Sequence, residues 1–108
     1  MQQDHGGRRG HHKDLQLCRQ VFDVLTYALA ELDDPMIAEL VLVSVTPAPS
    51  AARVQVTLAP SRDGIDREAA LARLAEIAPD LREEVAAEVS RRRVPELVFR
   101  VEPLAATT

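Results

Sequence analysis

The residues best suited to chemistry in this chain are arginines. Arg91, Arg92 and Arg93 stand in a row, and Arg82 lies about three helical turns before the last of them, so a helix could bring Arg82 and Arg93 to one side. A guanidinium is a planar fork that donates two parallel hydrogen bonds to one phosphate, so the chemistry on offer is phosphate contact. A second reading explains the same residues. Cations at a helix C-terminus complement the dipole, and Glu83, Glu84 and Glu88 could form intrahelical pairs worth only tenths of a kcal/mol each. The run alone does not choose between these readings.

Other reactive side chains are sparse. His5, His11 and His12 all fall in a Gly-rich leader without ligand spacing, and no metal or cofactor site is expected. Cys18 has only Arg19 as a cationic neighbour and no nearby histidine, so packing explains it better than nucleophilic chemistry. Tyr27 is read as a packing residue in the same way. Asp33 and Asp34 precede Pro35 and are explained by helix termination rather than by cation binding. Glu83-Glu84 is read as a solvated ion-pair surface. Phosphate loops, dinucleotide fingerprints and zinc spacings are missing, so no enzyme and no small-molecule substrate is expected.

Composition sets the frame for these side chains. One domain is expected from 108 residues, and 46% hydrophobic content with 3% aromatics calls for a core of Leu, Val, Ile and Ala. The net charge of −4 argues against a nonspecific, uniformly basic nucleic-acid binder, but a local basic face remains compatible with it. No apolar run approaches the ~18 residues of a membrane span, and no signal peptide is read. The single cysteine fits a reducing, cytoplasmic setting.

The elements that must position the arginines follow from periodicity. Residues 1–14, with three of the four glycines, are expected to be a disordered tail in which Arg8, Arg9 and Lys13 add weak phosphate attraction. Leu17, Val21, Val24, Leu25, Ala28, Leu29 and Leu32 predict a helix from Leu15 to Leu32. Leu40 to Thr46 predicts a strand with Val41, Val43 and Val45 on one side. A turn at Pro47–Ser50 should lead to a strand from Arg53 to Ala59 with Val54, Val56 and Leu58 inward.

Asp63 or Asp66 can cap the next helix. Ala70, Leu71, Leu74 and Ile77 form its apolar side, and Pro79 is expected to break it. Leu81, Val85 and Val89 mark a further helix to about Arg92. Leu97, Phe99 and Val101 mark a final strand. The order α-β-β-α-α-β implies an α+β fold in two layers, a three-stranded mixed sheet with helices on one face. The domain spans 15–102, followed by a short tail, 103–108.

On these residues the chain resembles the ribosome-binding factor A family, whose domain has a type II KH-like fold. Arg92-Arg93-Val94-Pro95-Glu96-Leu97-Val98-Phe99 carries the most specific likeness. Asp34-Pro35, Val43-Ser44-Val45-Thr46 with Ala52-Arg53-Val54-Gln55-Val56, and Leu81-Arg82 add to it. The resemblance implies a monomeric factor of the cytoplasm that binds the maturing small ribosomal subunit and its rRNA. Phosphate contact then falls to Arg82, Arg91, Arg92 and Arg93, with Lys13 and Arg19 on the same face and Ala78-Pro79 shaping a kinked helix junction. The family's junction normally carries a glycine where this chain has Pro79, and the G-x-x-G loop of RNA-gripping KH domains is missing. The alternative is a KH-like protein-binding module that has lost RNA binding, favoured by the acidic balance, Pro79 and Asp80.

Overall fold

The computed structural model describes the backbone of residues 2–50, 52–89 and 94–104, and the side chains of 14–49, 52–89 and 94–104. Its elements are α1 (Gln2–Glu31), α2 (Pro35–Ala38), β1 (Leu40–Ser50), β2 (Arg53–Pro60), α3 (Arg67–Glu88) and β3 (Glu96–Val101). The strands form one mixed sheet in the order β1-β2-β3, with β1 antiparallel and β3 parallel to β2. Helices α1 and α3 pack on it, giving the α+β architecture implied by the periodicity.

The α1 stripe of Leu17, Val21, Leu25 and Ala28 is buried, with Val24, Leu29 and Leu32 packed against the core. Cys18 is 3% exposed and belongs to that core. The helical backbone starts at Gln2, ahead of the Leu15 start marked by the apolar spacing, and runs through the Gly-rich residues read as a tail. Once a helix is nucleated, each further residue adds a backbone hydrogen bond at little extra cost. Helix α2, not foreseen, is capped by Asp34, whose carboxylate accepts from the Met36 and Ile37 amides at 3.0 and 3.3 Å. Pro35 takes the first helical position, where its missing N–H costs nothing.

Two expectations for the hairpin are corrected. Strand β1 continues through Pro47 to Ser50 instead of turning there. It is an edge strand, where a proline need not donate to the ladder. The valines also do not share one side. Leu42 pairs with Leu58 and Ser44 with Thr57, which leaves Val43 as an extra residue. This bulge shifts the inward set from Leu40 and Leu42 to Val45, and Val41 and Val43 are exposed.

Pro79 does not break the helix. Helix α3 is continuous from Arg67 to Glu88, so the order is α-β-β-α-β with a short α2. Ala70, Leu74, Ile77, Leu81 and Val85 form one buried stripe that crosses Pro79 without changing phase. Burying such Leu and Ile side chains contributes roughly 1.5–3 kcal/mol each, which offsets the ~3 kcal/mol that proline costs inside a helix. Asp66 is the N-cap of α3, accepting from Glu68 and Ala69, and settles the choice with Asp63. Leu71, expected inside, is 42% exposed.

Candidate nucleic-acid interface

Arg82 projects from the last third of α3 toward the segment that enters β3. Its Nη2 donates to the Val94 carbonyl at 3.0 Å and its Nε to the Pro95 carbonyl at 3.3 Å. Neither carbonyl belongs to a strand ladder, so the guanidinium supplies hydrogen bonds that this part of the backbone requires. Pro95 is among the most deeply buried residues, and Val94 packs against the core. The Glu96 amide donates to the Ala52 carbonyl at 3.0 Å, and the Glu96 carboxylate accepts from Arg53 at 3.3 Å. Leu97 is buried and Phe99 is half-buried. The Val-Pro-Glu-Leu-x-Phe segment thus serves to seat β3 beside β2, and Arg82 is part of that seat.

The other residues considered for phosphate contact are dispersed. Arg19 is exposed on α1, beside a shallow hollow lined by Leu15, Phe22, Val43 and Ser44 at the β1 edge of the sheet. Arg82 works at the β3 edge, with β2 between them. The structure therefore does not bring Arg19 and Arg82 into one patch. Ala78 is half-buried and Pro79 exposed in mid-helix. The backbone of Lys13 lies in α1, while its side chain and residues 91–93 lie outside the described residues.

The remaining described arginines have structural partners. Arg73 donates through Nε to Asp34 and through Nη1 to Glu76 at 2.8 Å, tying α3 to the cap of α2. The hydrogen bond from Arg73 is the largest cause that holds the Asp34 carboxyl below the usual aspartate range; burial opposes it, and the Ile37 and Met36 amides add to it. The bonds that Arg73 donates to the Glu76 and Asp34 carboxylates raise its own pKa in turn. Arg62 pairs with Glu39 at 2.9 Å, and Arg67 reaches the Val101 carbonyl at 3.5 Å. Solvent screens such exposed contacts, so they add little stability, but they occupy cations that would otherwise be free for phosphate.

Sequence reasoning missed the groove between α1 and α3. Tyr27, expected to pack, is 75% exposed there. Asp23, Val24, Ala28, Glu31, Glu84 and Glu88 complete its lining around about 380 Å³. The signal was present in the spacing, since residues 23, 27 and 31 repeat every four along α1, as do 84 and 88 along α3. Among the described residues none of the four carboxylates forms an ion pair. Cys18 completes the titratable picture, its thiol pushed up by burial and then by the nearby Asp14 charge. No group of side chains suited to a metal ion is found among the described residues, and no helix there is long and apolar enough to cross a membrane.

A three-stranded mixed sheet with α1 and α3 on it and a parallel β2-α3-β3 crossover defines a two-layer α+β domain of the KH-like class. No known family's sequence pattern matches the chain, and no curated protein matches it in sequence. Solved structures do match. Ribosome-binding factor A from Thermus thermophilus superposes with a TM-score of 0.71 at 25% identity, over 82% of this chain and 94% of that one. A Thermotoga maritima protein provisionally assigned as a ribosome binding factor A has a TM-score of 0.62 at 12% identity, over 93% of each chain. A homology model of the Thermus thermophilus factor, fitted into a cryo-EM map of its 30S complex, has a TM-score of 0.59 at 24% identity, over 87% of this chain and 93% of that one. The chain is thus similar in fold to ribosome-binding factor A proteins.

Proposed function

We propose that the protein binds the small ribosomal subunit and contacts its rRNA during late maturation, as a monomeric factor of the cytoplasm that needs no cofactor. The observation that carries this reading is the fold shared with nearly the whole of the Thermus thermophilus factor, itself fitted into a 30S complex. Phosphate contact would be made by Arg91, Arg92 and Arg93, with Lys13 and Arg19 from α1. Arg82 would contribute only through the N–H groups not spent on Val94 and Pro95. The test is cosedimentation with immature and mature small subunits over a salt series. Salt-sensitive binding that prefers immature subunits supports the reading, and no binding at low salt overturns it.

A second reading, a KH-like protein-binding module without RNA contact, is favoured by one observation. Glu84 and Glu88 line an acid-rimmed groove on the same helix that carries Arg82. Salt-independent association with subunits stripped of rRNA contact would favour it.

A further inference from the structure

We propose that the groove between α1 and α3 is a docking site for an arginine-rich polypeptide segment, whether or not the domain also binds rRNA. Its floor is apolar, formed by Val24, Ala28 and the ring of Tyr27. Two acidic rails flank that floor. Asp23 and Glu31 stand about two turns apart on α1, ~12 Å along the axis, and Glu84 and Glu88 stand one turn apart on α3, ~6 Å. About four residues of extended chain span the longer rail.

The occupant follows from charge and shape together. Carboxylates on both walls call for cations, and the same carboxylates repel phosphate. A free metal ion would gain little from an apolar floor and an aromatic ring, whereas a guanidinium matches each element. It pairs with a carboxylate through its fork, stacks on a tyrosine face, and lays its methylene stem on apolar surface. Tyr27 is 75% exposed, so its ring face is open to stacking by an incoming side chain. A groove of about 380 Å³ accommodates one or two such side chains.

The chain supplies its own probe. Tyr27 is the sole tyrosine and there is no tryptophan, so intrinsic fluorescence reads this groove alone. The experiment titrates the full-length protein at low salt with an oligoarginine peptide of about eight residues, long enough to exceed the rails when extended. The expected result is a saturable change in Tyr27 emission. Substitution of Glu84→Gln with Glu88→Gln should weaken binding by roughly tenfold or more, equal to at least ~1.4 kcal/mol. Neutralising two carboxylates elsewhere, Asp63→Asn with Glu68→Gln, should weaken it by less than about twofold, because those side chains lie outside the groove and the remaining effect is screened.

Circular dichroism checks that each variant folds, and all four side chains are exposed. Equal loss in both double variants would reduce the effect to net charge and overturn the proposal. So would spermidine binding as tightly as the peptide, which assigns the groove to free polyamine. Concentration-dependent self-association abolished by the Glu84/Glu88 variant would assign it to a second copy of the chain, again overturning it. An unresponsive Tyr27 ends the proposal directly.

Discussion

Arg82 donates from Nη2 to the Val94 carbonyl oxygen at 3.0 Å, bridging α3 to the segment that leads into β3. The same guanidinium reaches Pro95, so one side chain closes the crossover between two elements of the core. Its charge therefore has an architectural use independent of any RNA, and the two uses make different predictions.

Substituting Arg82→Gln should lower stability by about 1–2 kcal/mol, from two side-chain-to-backbone bonds each worth ~0.5–1.5 kcal/mol. Urea denaturation followed by circular dichroism measures it. Arg82→Lys should retain part of the loss, because an ammonium cannot reach two carbonyls with a fixed fork. If Arg82 acts through the fold alone, any fall in subunit binding by these variants tracks the fraction unfolded. A binding loss in a fully folded Arg82→Lys protein would instead place Arg82 on the RNA surface.

Pro79 sits in mid-helix with no N–H to offer the Ala75 carbonyl. Its side chain is exposed, so replacing it sacrifices no core packing. Pro79→Ala should stabilise the domain by roughly 2 kcal/mol, the helix-propensity gain of about 3 reduced by the unfolded-state entropy that proline restricts. Pro79→Gly should be more stable than wild type but less than Pro79→Ala by about 1 kcal/mol. Thermal melts give the order. A destabilised Pro79→Ala would mean that a local break, not helix continuity, is what the fold requires.

Pro79 also shows where the sequence could be read and where it could not. The apolar stripe through Leu74, Ile77, Leu81 and Val85 keeps one phase across it, and that phase already indicated one helix. Local proline chemistry pointed the other way, and tertiary burial decided. The stripe of α1 and the inward sets of β2 and β3 were legible because each repeats with the period of its own element. The Val43 bulge was not, since it arises from pairing between strands and leaves no mark on β1 alone. The engagement of Arg82 was hidden for the same kind of reason, as its acceptors are backbone atoms brought close only by the completed crossover. Tyr27 was misplaced because it borders the apolar stripe of α1, and only the separation of α1 from α3 decides whether that border is covered.

Asp34 predicts the acid limb of the stability curve. Its folded-state pKa lies below the unfolded value of about 3.9, so the stabilisation it contributes is fully present above that pH. It is lost progressively as pH falls through the depressed folded value. Asp34→Asn should therefore be less stable than wild type at pH 7, with the difference shrinking below pH ~4. Arg73→Gln should flatten the same limb, since Arg73 is the largest cause of the shift. Urea midpoints measured from neutral to acidic pH check both. Parallel curves for wild type and Asp34→Asn would show that the pair contributes nothing to the pH dependence.

Cys18 predicts behaviour at the alkaline end. Burial and Asp14 raise its thiol pKa, so the neutral form is favoured in the folded state. The associated stability is complete below the unfolded thiol pKa of about 8.5 and is lost as pH rises through the higher folded value. The thiolate is the reactive species, so the folded protein should react with a disulfide reagent far more slowly than the unfolded chain at pH 8. The labelling rate should rise with urea in step with opening of the α1 packing. Immediate, urea-independent labelling would place Cys18 at the surface.

Arg91, Arg92 and Arg93 carry the most direct prediction for function, because the described arginines are largely committed to partners within the fold. If these three meet phosphates, removing any one of them should reduce the slope of log affinity against log salt by about 0.7–0.9. Charge reversal of all three to glutamate should therefore cut small-subunit association at low salt and flatten the salt dependence by roughly two units or more, while the melt of the free domain stays near wild type. Neutral Gln replacements should give the same change in slope with a smaller fall in affinity, since they remove the phosphate pairing without adding repulsion. Cosedimentation with small subunits across a salt series reads both quantities. Binding and slope unchanged in the charge-reversed protein would remove this segment from the interface and shift the phosphate contacts to Lys13, Arg19 and the rest of α1.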